Sequence, residues 1–276
     1  MSEDVGIIAS KEERLQEARG FTLMSDVFMS VALEDIAACQ YVIRILMNRP
    51  DLVVKNVKTQ YTISKIDSHD ARLDVLAEIT AVDSNNRLVM IEIQRRDTID
   101  HARRTRFYGA MVDSTYLEKG KTYSELPDVY IFYISETDIW KGGKTVYEVT
   151  KTLNGQAYDD GIHIAYVNAA INDGSAIASL MQYFKSCDPT DDSQGELSKR
   201  VQELKSDKEG EFMCELTQKW YNDGEKMGRA KDIIKIMDNL KVSIDSAMQT
   251  IEIPETEKVF YVALVDNIKS GKVKSE

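Results

Sequence analysis

The chain has 276 residues, which is long enough to bury a substantial core. Its composition, 43% hydrophobic and 29% charged residues, is that of a globular protein and not of a disordered or fibrous one. Its formal net charge of −11 argues against a surface coated for phosphate binding, because such binding depends largely on lysine and arginine. The three cysteines, Cys39, Cys187 and Cys214, are far apart, odd in number and without zinc-site spacing, which argues against a disulfide scaffold and favours a reducing compartment.

The sequence shows no sign of a membrane segment. No run approaches the roughly 18 consecutive apolar residues that a membrane helix needs. Residues 1–20 are acidic and interrupted by charges, unlike a signal peptide. We therefore predict a cytoplasmic protein.

The first predicted element is a helix over residues 22–48, where apolar residues recur at three- and four-residue steps before Pro50. Three strands are predicted next from the alternation of apolar and polar residues, at 57–66, 72–82 and 87–95. Residues 83–86, Asp-Ser-Asn-Asn, predict the turn of a hairpin between the last two strands.

Helical spacing returns over residues 98–118, followed by further predicted strands at 129–134, 145–150 and 161–168. The order helix, three strands, helix, strand predicts an α/β fold with a mixed central sheet. The polar segment 186–195 is interpreted as a linker, so we predict a domain over 1–190 and a helical C-terminal region over 191–276. The apolar face of residues 229–240 is expected to pack internally, with a homodimer contact as the alternative.

The segment that carries chemistry is 72–97. In its second strand Glu92 and Gln94 point to the same face and are flanked by apolar residues. A carboxylate buried there needs a cation or a hydrogen-bond network to offset several kcal/mol of lost solvation. Asp74 lies on the preceding strand. A simple hairpin count places Glu78 opposite Glu92, so a bulge or another register is needed to bring Asp74 close.

Oxygen ligands in this arrangement suit a divalent cation that assists phosphodiester hydrolysis. We expect Asp74 and Glu92 to bind Mg²⁺, with Mn²⁺ as a substitute and the Ile93 carbonyl as a third ligand. Gln94 is expected to orient a water molecule or a phosphate oxygen. The alternative is a solvated strand face on which these side chains only form hydrogen bonds.

At these residues the sequence resembles the PD-(D/E)XK nuclease family transposases, also described as recombination-promoting nucleases. Leu73-Asp74-Val75 and Ile91-Glu92-Ile93-Gln94 carry the resemblance first. Arg104 and Tyr108 match the family's arginine–tyrosine helix, and residues 120–134 resemble its step into the next strand. The match extends, more loosely, over residues 22–230.

The resemblance implies a restriction-endonuclease-like fold and Mg²⁺-dependent DNA cleavage linked to recombination or mobile elements. It also implies an acidic residue on the first helix, for which we choose Glu34 over Asp26 and Asp35. Arg104 and Tyr108 are then expected to contact DNA. Arg103 is assigned to the same contact, although an ordinary solvent-facing charge is the simpler interpretation.

One departure from the wider superfamily is Gln94, which stands where many of its nucleases have lysine. Glutamine is frequent in the transposase branch, but it removes a positive charge that would stabilise the phosphate in the transition state. A nuclease fold without activity, used to bind nucleic acid or protein partners, is therefore the alternative function. The preference for DNA over RNA rests on the resemblance alone.

Overall fold

A computed structural model of the chain describes residues 20–63, 71–80, 86–94, 100–117, 119–206, 226 and 228–269. Contacts divide the chain into two compact units, Met1–Glu211 and Phe212–Glu276. The boundary expected after residue 190 stays a prediction. Among the described helices, none is long and apolar enough to span a membrane.

Two short helices open the first unit where one helix was predicted over 22–48. They are α1 (Asp26–Glu34) and α2 (Ile36–Leu46). Asp35 separates them, because its extended backbone leaves the helical region and its Oδ1 accepts a hydrogen bond from the Ala38 N–H at 2.8 Å. An aspartate that caps a helix start in this way competes with continuation of the preceding helix, so the prediction of one continuous helix was wrong.

An antiparallel three-stranded meander follows, as the alternating pattern predicted. Its strands are β1 (Val53–Ile63), β2 (Ala71–Thr80) and β3 (Asn86–Gln94). β1 pairs with β2, and β2 pairs with β3. The connections 64–70 and 81–85, with most of the predicted turn at 83–86, lie outside the described residues.

A crossover helix, α3 (His101–Tyr116), leads from β3 to β4 (Asp128–Ser135), which runs parallel to β3. The remaining strands are β5 (Val146–Glu148), the short hairpin of β6 (Thr152–Leu153) and β7 (Gln156–Ala157), and β8 (Ile162–Asn168). β8 is parallel to β4, and β5 closes the edge antiparallel to β8. The six-stranded sheet has the order β1-β2-β3-β4-β8-β5, which confirms the predicted mixed sheet and agrees with a restriction-endonuclease-like core.

The centre of the sheet is buried against α3. Met111 and Val112 of α3 pack on a cluster of buried sheet residues: Leu76, Leu88, Met90, Val129 and Ile131. Val89 and Ile91 of β3 are fully buried on the other side of the same strand. A strand that is covered on both faces is held in place by packing, so β3 is a rigid support for its buried polar residue, Glu92.

The segment predicted as a linker is bounded by two helices, α4 (Ala176–Ser186) and α5 (Gly195–Leu204). α4 was not predicted, although Ser175 caps it and apolar residues recur at helical spacing: Ile177, Leu180, Met181 and Phe184. α4 ends at Cys187, whose left-handed backbone (φ 44°, ψ 43°) stops the helix. Cys39 and Cys187 are buried and form no disulfide, while Cys214 lies outside the described residues.

The second unit is helical in the part that is described, as predicted. Its helices are α6 (residues 228–240), α7 (Ile244–Thr250) and α8 (Lys258–Lys269), with Pro254 between the last two. They share a small core around Ile233, Met248 and Tyr261. The apolar face of α6 is thus used for internal packing, while Leu240 at its end is 63% exposed.

A pair of leucine substitutions tests this packing. Leu76→Ala should lower the free energy of unfolding by about 2–5 kcal/mol, because it removes a side chain buried between β2 and α3 and leaves a cavity. Leu153→Ala, on the exposed β6, should change it by less than about 0.5 kcal/mol. Urea denaturation of both variants and the parent measures the difference, and equal stabilities would contradict the assigned core.

Candidate active site

Asp74 and Glu92 lie side by side on neighbouring strands. Val75 pairs with Ile91, and one step further along the same register Asp74 reaches Glu92. Glu78 pairs instead with Leu88, so the simple hairpin count that placed it opposite Glu92 was wrong. Relative to that count, the observed register shifts the partner of Glu92 by four residues along β2, from Glu78 to Asp74, and no bulge between the described parts of β2 and β3 is needed.

Both carboxylates are removed from solvent: Asp74 is 7% exposed and Glu92 is 5% exposed. Burial, followed by the negative charge of Asp74, raises the pKa of Glu92 to about 9, although Arg104 partly opposes the shift. The Asp74 backbone N–H donates to the Glu92 carboxylate. Among the described residues, Glu92 Oε2 has no hydrogen-bond partner. The site thus holds two carboxyl groups that are not both ionised at neutral pH, and one oxygen that lacks a hydrogen-bond partner among the described residues.

Arg104 and Tyr108 of α3 face this carboxylate pair. The helix starts at His101, and side chains four residues apart lie on one face of it. Arg104 Nη1 is 3.9 Å from Glu92 Oε1, and its Nη2 is 3.9 Å from Asp100 Oδ2. Burial and the charge of Glu92 raise the pKa of Tyr108, whose hydroxyl donates a hydrogen bond to Glu92. The structure therefore brings Arg104 and Tyr108 to Glu92.

For the other predicted residues on β3 and α3, the structure gives the backbone position or the exposure but no contact with the carboxylate pair. Ile93 and Gln94 end β3, where their backbones pair in register with Ile134 and Ser135 of β4. Their side chains lie outside the described part of the chain. Arg103 is exposed in the first turn of α3, next to Arg104 in sequence.

The three first-helix acids occupy different environments. Asp26 begins α1, and its charge contributes to the raised pKa of Glu92, though less than burial and the charge of Asp74 do. Glu34 is the last residue of α1 and is exposed. At a rise of 1.5 Å per residue, the two positions are about 12 Å apart along the helix axis. Asp35 is occupied as the cap of α2.

An aromatic cluster beside the carboxylates was not foreseen as part of the site. Tyr133 of β4 pairs in register with Glu92 on one side and with Tyr166 of β8 on the other. The rings of both tyrosines contact His101, at centroid distances of 6.2 and 5.6 Å. Tyr166 and Thr105 of α3 also share a hydrogen bond of 3.2 Å between their hydroxyls. The sequence signal was present, because each of the two buried strands carries a tyrosine near its carboxyl end, but their registers were unknown.

The donor set matches a hard divalent cation. Two adjacent carboxylates and a backbone carbonyl are oxygen ligands of the kind that Mg²⁺ prefers, with water and substrate completing its shell. No cluster of three or more histidine, cysteine, aspartate or glutamate side chains with metal-site geometry occurs within the described residues. A cation at Asp74 and Glu92 therefore depends on two side-chain carboxylates, and it would compensate the unpartnered Glu92 Oε2.

Comparison with known proteins agrees with this geometry. Residues 45–173 match the family described as PD-(D/E)XK nuclease family transposase. The matched range includes β1 to β8, α3 and both carboxylates. No curated protein and no solved structure matches the chain.

The raised pKa of Glu92 predicts how stability depends on pH without metal. The folded chain keeps a proton that the unfolded chain has lost, so the free energy of unfolding should fall as the pH rises from about 5 to about 9. Glu92→Gln should lack this pH dependence, so its free energy of unfolding should exceed that of the parent by on the order of a few kcal/mol near pH 9. Urea denaturation in EDTA at several pH values measures both slopes.

Asp74→Asn is the internal control. It removes the neighbouring negative charge, so the pKa of Glu92 should fall and the pH-dependent loss of stability should move to lower pH. Superimposable pH profiles for the parent and Glu92→Gln would contradict the raised pKa.

Proposed function

We propose that this chain, in which residues 45–173 form a PD-(D/E)XK nuclease family transposase domain, is a metal-dependent endonuclease that hydrolyses DNA phosphodiester bonds. The observation that carries the proposal is the buried, adjacent pair of Asp74 and Glu92 with one unpartnered carboxylate oxygen among the described residues. Such a pair is costly in a structural role, since burial and mutual repulsion oppose the ionisation of both carboxyl groups.

Asp74, Glu92 and the Ile93 carbonyl are the proposed ligands of Mg²⁺, or of Mn²⁺ in its place. When bound there, the cation neutralises charge that develops on the phosphate and lowers the pKa of water. Binding must displace the proton that Glu92 holds, because a carboxylate ligates a metal in its deprotonated form. The affinity for the cation is therefore expected to rise with pH.

The surrounding side chains orient the substrate in this proposal. Arg104 presents planar N–H donors that suit phosphate oxygens, and its 3.9 Å contact with Glu92 is long enough to be exchanged for a phosphate contact. Tyr108 can donate its hydroxyl proton to the same phosphate. Gln94 would orient a water molecule or a phosphate oxygen, and the exposed Arg103 would contact the DNA backbone.

For the acid on the first helix we propose Asp26 in place of Glu34. Its effect on the pKa of Glu92 supports this choice, as does the separation of about 12 Å between the two ends of α1. Asp26 is too exposed to be held as a buried ligand, so we assign it to water-mediated contact with the cation.

The family description links the chain to transposases, which favours DNA as the substrate and a role in mobile elements or recombination. The buried, unpaired thiols of Cys39 and Cys187 favour action in the cytoplasm. One alternative function retains support. A net charge of −11 and glutamine at position 94 also suit a nuclease fold that binds nucleic acid or a protein without cleavage.

A matched pair of glutamine substitutions tests catalysis. Purified parent should nick or linearise supercoiled plasmid in Mg²⁺ or Mn²⁺ and not in EDTA, and Glu92→Gln and Asp74→Ala should abolish this cleavage. Glu78→Gln is the control, because Glu78 lies on β2 but accepts a hydrogen bond from Tyr116 at 2.9 Å, away from the carboxylate pair. Gel electrophoresis of the plasmid over time measures the rates.

Thermal unfolding distinguishes the two functions. A parent that is stabilised by Mg²⁺, with the effect lost in Glu92→Gln, has the proposed metal site whether or not it cuts. A folded parent that binds DNA but shows neither cleavage nor stabilisation by Mg²⁺ or Mn²⁺ would support the binding module instead.

A second pair tests the acid on the first helix. Asp26→Asn should reduce the cleavage rate at least about tenfold, since it removes a charge near the metal ligands. Glu34→Gln should leave the rate close to that of the parent. Initial rates at saturating Mg²⁺ compare the two. A loss confined to Glu34→Gln would return the assignment to Glu34.

A further inference from the structure

The loop that follows β4 lies at the same edge of the sheet as the carboxylate pair. β3, β4 and β8 are parallel, so their carboxyl ends lie together, at Gln94, Ser135 and Asn168. Residues 136–145 leave β4 at this edge and return to β5. They read Glu-Thr-Asp-Ile-Trp-Lys-Gly-Gly-Lys-Thr, with one aromatic ring between charged residues. We call residues 136–145 the tryptophan loop.

The tryptophan loop is held in one conformation by Tyr147. The Tyr147 hydroxyl accepts hydrogen bonds from the N–H groups of Gly142 and Lys144, at 2.9 and 3.1 Å, and donates to Asp138 at 2.7 Å. Asp138 also accepts from the Gly143 N–H at 2.8 Å. A Cβ at position 142 would lie 3.0 Å from the Tyr147 ring, so a larger residue there would force the ring to shift by a few tenths of an ångström. A loop fixed by this many bonds presents its side chains in defined places.

Trp140 is the exposed ring of this loop. It is 44% exposed, although it contacts His101 at 4.7 Å and Tyr166 at 5.2 Å, both in edge-to-face geometry. His101 in turn contacts Tyr133, the register neighbour of Glu92. Two ring contacts therefore connect Trp140 to the strand position beside the carboxylate pair.

Lys141 and Lys144 follow Trp140 in the tryptophan loop, and both are exposed. Within the described part of the chain, neither lysine forms an ion pair. The nearest acid in the loop, Asp138, is occupied by Tyr147 and by backbone N–H groups, so it offers little to a neighbouring lysine. An exposed indole followed in the same loop by two exposed lysines supplies the stacking ring and the positive charge that bind single-stranded nucleic acid.

We propose that the tryptophan loop binds an unpaired nucleotide of the DNA substrate, with a base stacked on Trp140 and the phosphates near Lys141 and Lys144. This inference rests on the proposed nuclease function and adds to it a preference for single-stranded or locally opened DNA. The preference follows because a base within a duplex has both faces stacked and must leave the helix to reach an indole. The tryptophan loop lies at the end of the sheet that carries the carboxylates. One DNA strand can therefore contact Trp140 and the carboxylate pair together.

The test measures binding without cleavage. The full-length chain in EDTA is titrated into fluorescein-labelled oligonucleotides, either single-stranded or as the matched duplex, and anisotropy gives each Kd. Trp140→Ala should weaken binding of the single strand roughly tenfold or more, the size of one lost base–aromatic stack, and Trp140→Phe should recover most of it. Lys141→Ala combined with Lys144→Ala should weaken binding and reduce its dependence on salt.

The matched control is Tyr123→Ala. Tyr123 is an exposed aromatic (83%) in the short 3-10 helix Tyr123–Glu125, which precedes β4 and so lies toward the opposite edge of the sheet. Tyr123→Ala should leave the affinities for the single strand and for the duplex unchanged. A second readout uses Trp220→Phe, which leaves Trp140 as the sole tryptophan of the chain. Its fluorescence should be quenched by the single strand.

The outcomes separate this inference from the nuclease proposal. If the parent cuts plasmid while Trp140→Ala, folded by its thermal midpoint, binds the single strand as the parent does, the tryptophan loop is not the contact and the nuclease function stands. An equal loss of affinity for single strand and duplex would also overturn the inference. If the parent binds the single strand through Trp140 but never cuts, the contact stands and the catalytic proposal fails.

Discussion

The burial of two carboxylates side by side is the constraint around which the first unit is organised. Asp74 and Glu92 are 7% and 5% exposed in a sheet whose neighbouring residues, Val75 and Ile91, are fully buried. Desolvating a carboxylate costs several kcal/mol, and placing a second one beside it adds repulsion. Arg104, Tyr108 and the Asp74 N–H each offset part of this cost, yet they leave the pKa of Glu92 raised. A carboxylate pair whose desolvation and repulsion are only partly offset by neighbouring groups is typical of a site that binds a cation.

The parallel half of the sheet gives this carboxylate pair its surroundings. In a sheet with parallel strands, the carboxyl ends collect residues that are distant in sequence, and ligands bind at that edge. Gln94, Ser135 and Asn168 meet there, and α3 and the tryptophan loop leave from the same edge. Arg104 and a cluster of aromatic rings are thereby placed together at one end of the sheet, in a chain whose net charge is −11. Local placement, and not the total charge, is what makes contact with a polyanion physically reasonable.

The elements that sequence analysis recovered are those with a strong local period. The alternation in β1, β2 and β3 and the apolar run of β4 predicted strands within a few residues of their observed bounds. The break at Asp35 was missed because helical periodicity continues across it, while a single cap hydrogen bond ends α1 and starts α2. The hairpin of β6 and β7 was missed because strands of two residues carry no detectable period. α4 has both a capping serine and apolar residues at helical spacing, so it could have been predicted from the sequence.

The sequence by itself identified Glu92 as a candidate site residue, since a carboxylate among apolar neighbours on an alternating strand is a local pattern. It also determined that Arg104 and Tyr108 share one face of a helix, because the helical period places them four residues apart. Only the tertiary structure decided that Asp74, and not Glu78, meets Glu92, since strand register depends on where the hairpin turns. It likewise decided that Trp140 contacts His101, which in turn contacts the register neighbour of Glu92, Tyr133. These proximities join separate elements, and they exist only because helices and strands pack in three dimensions.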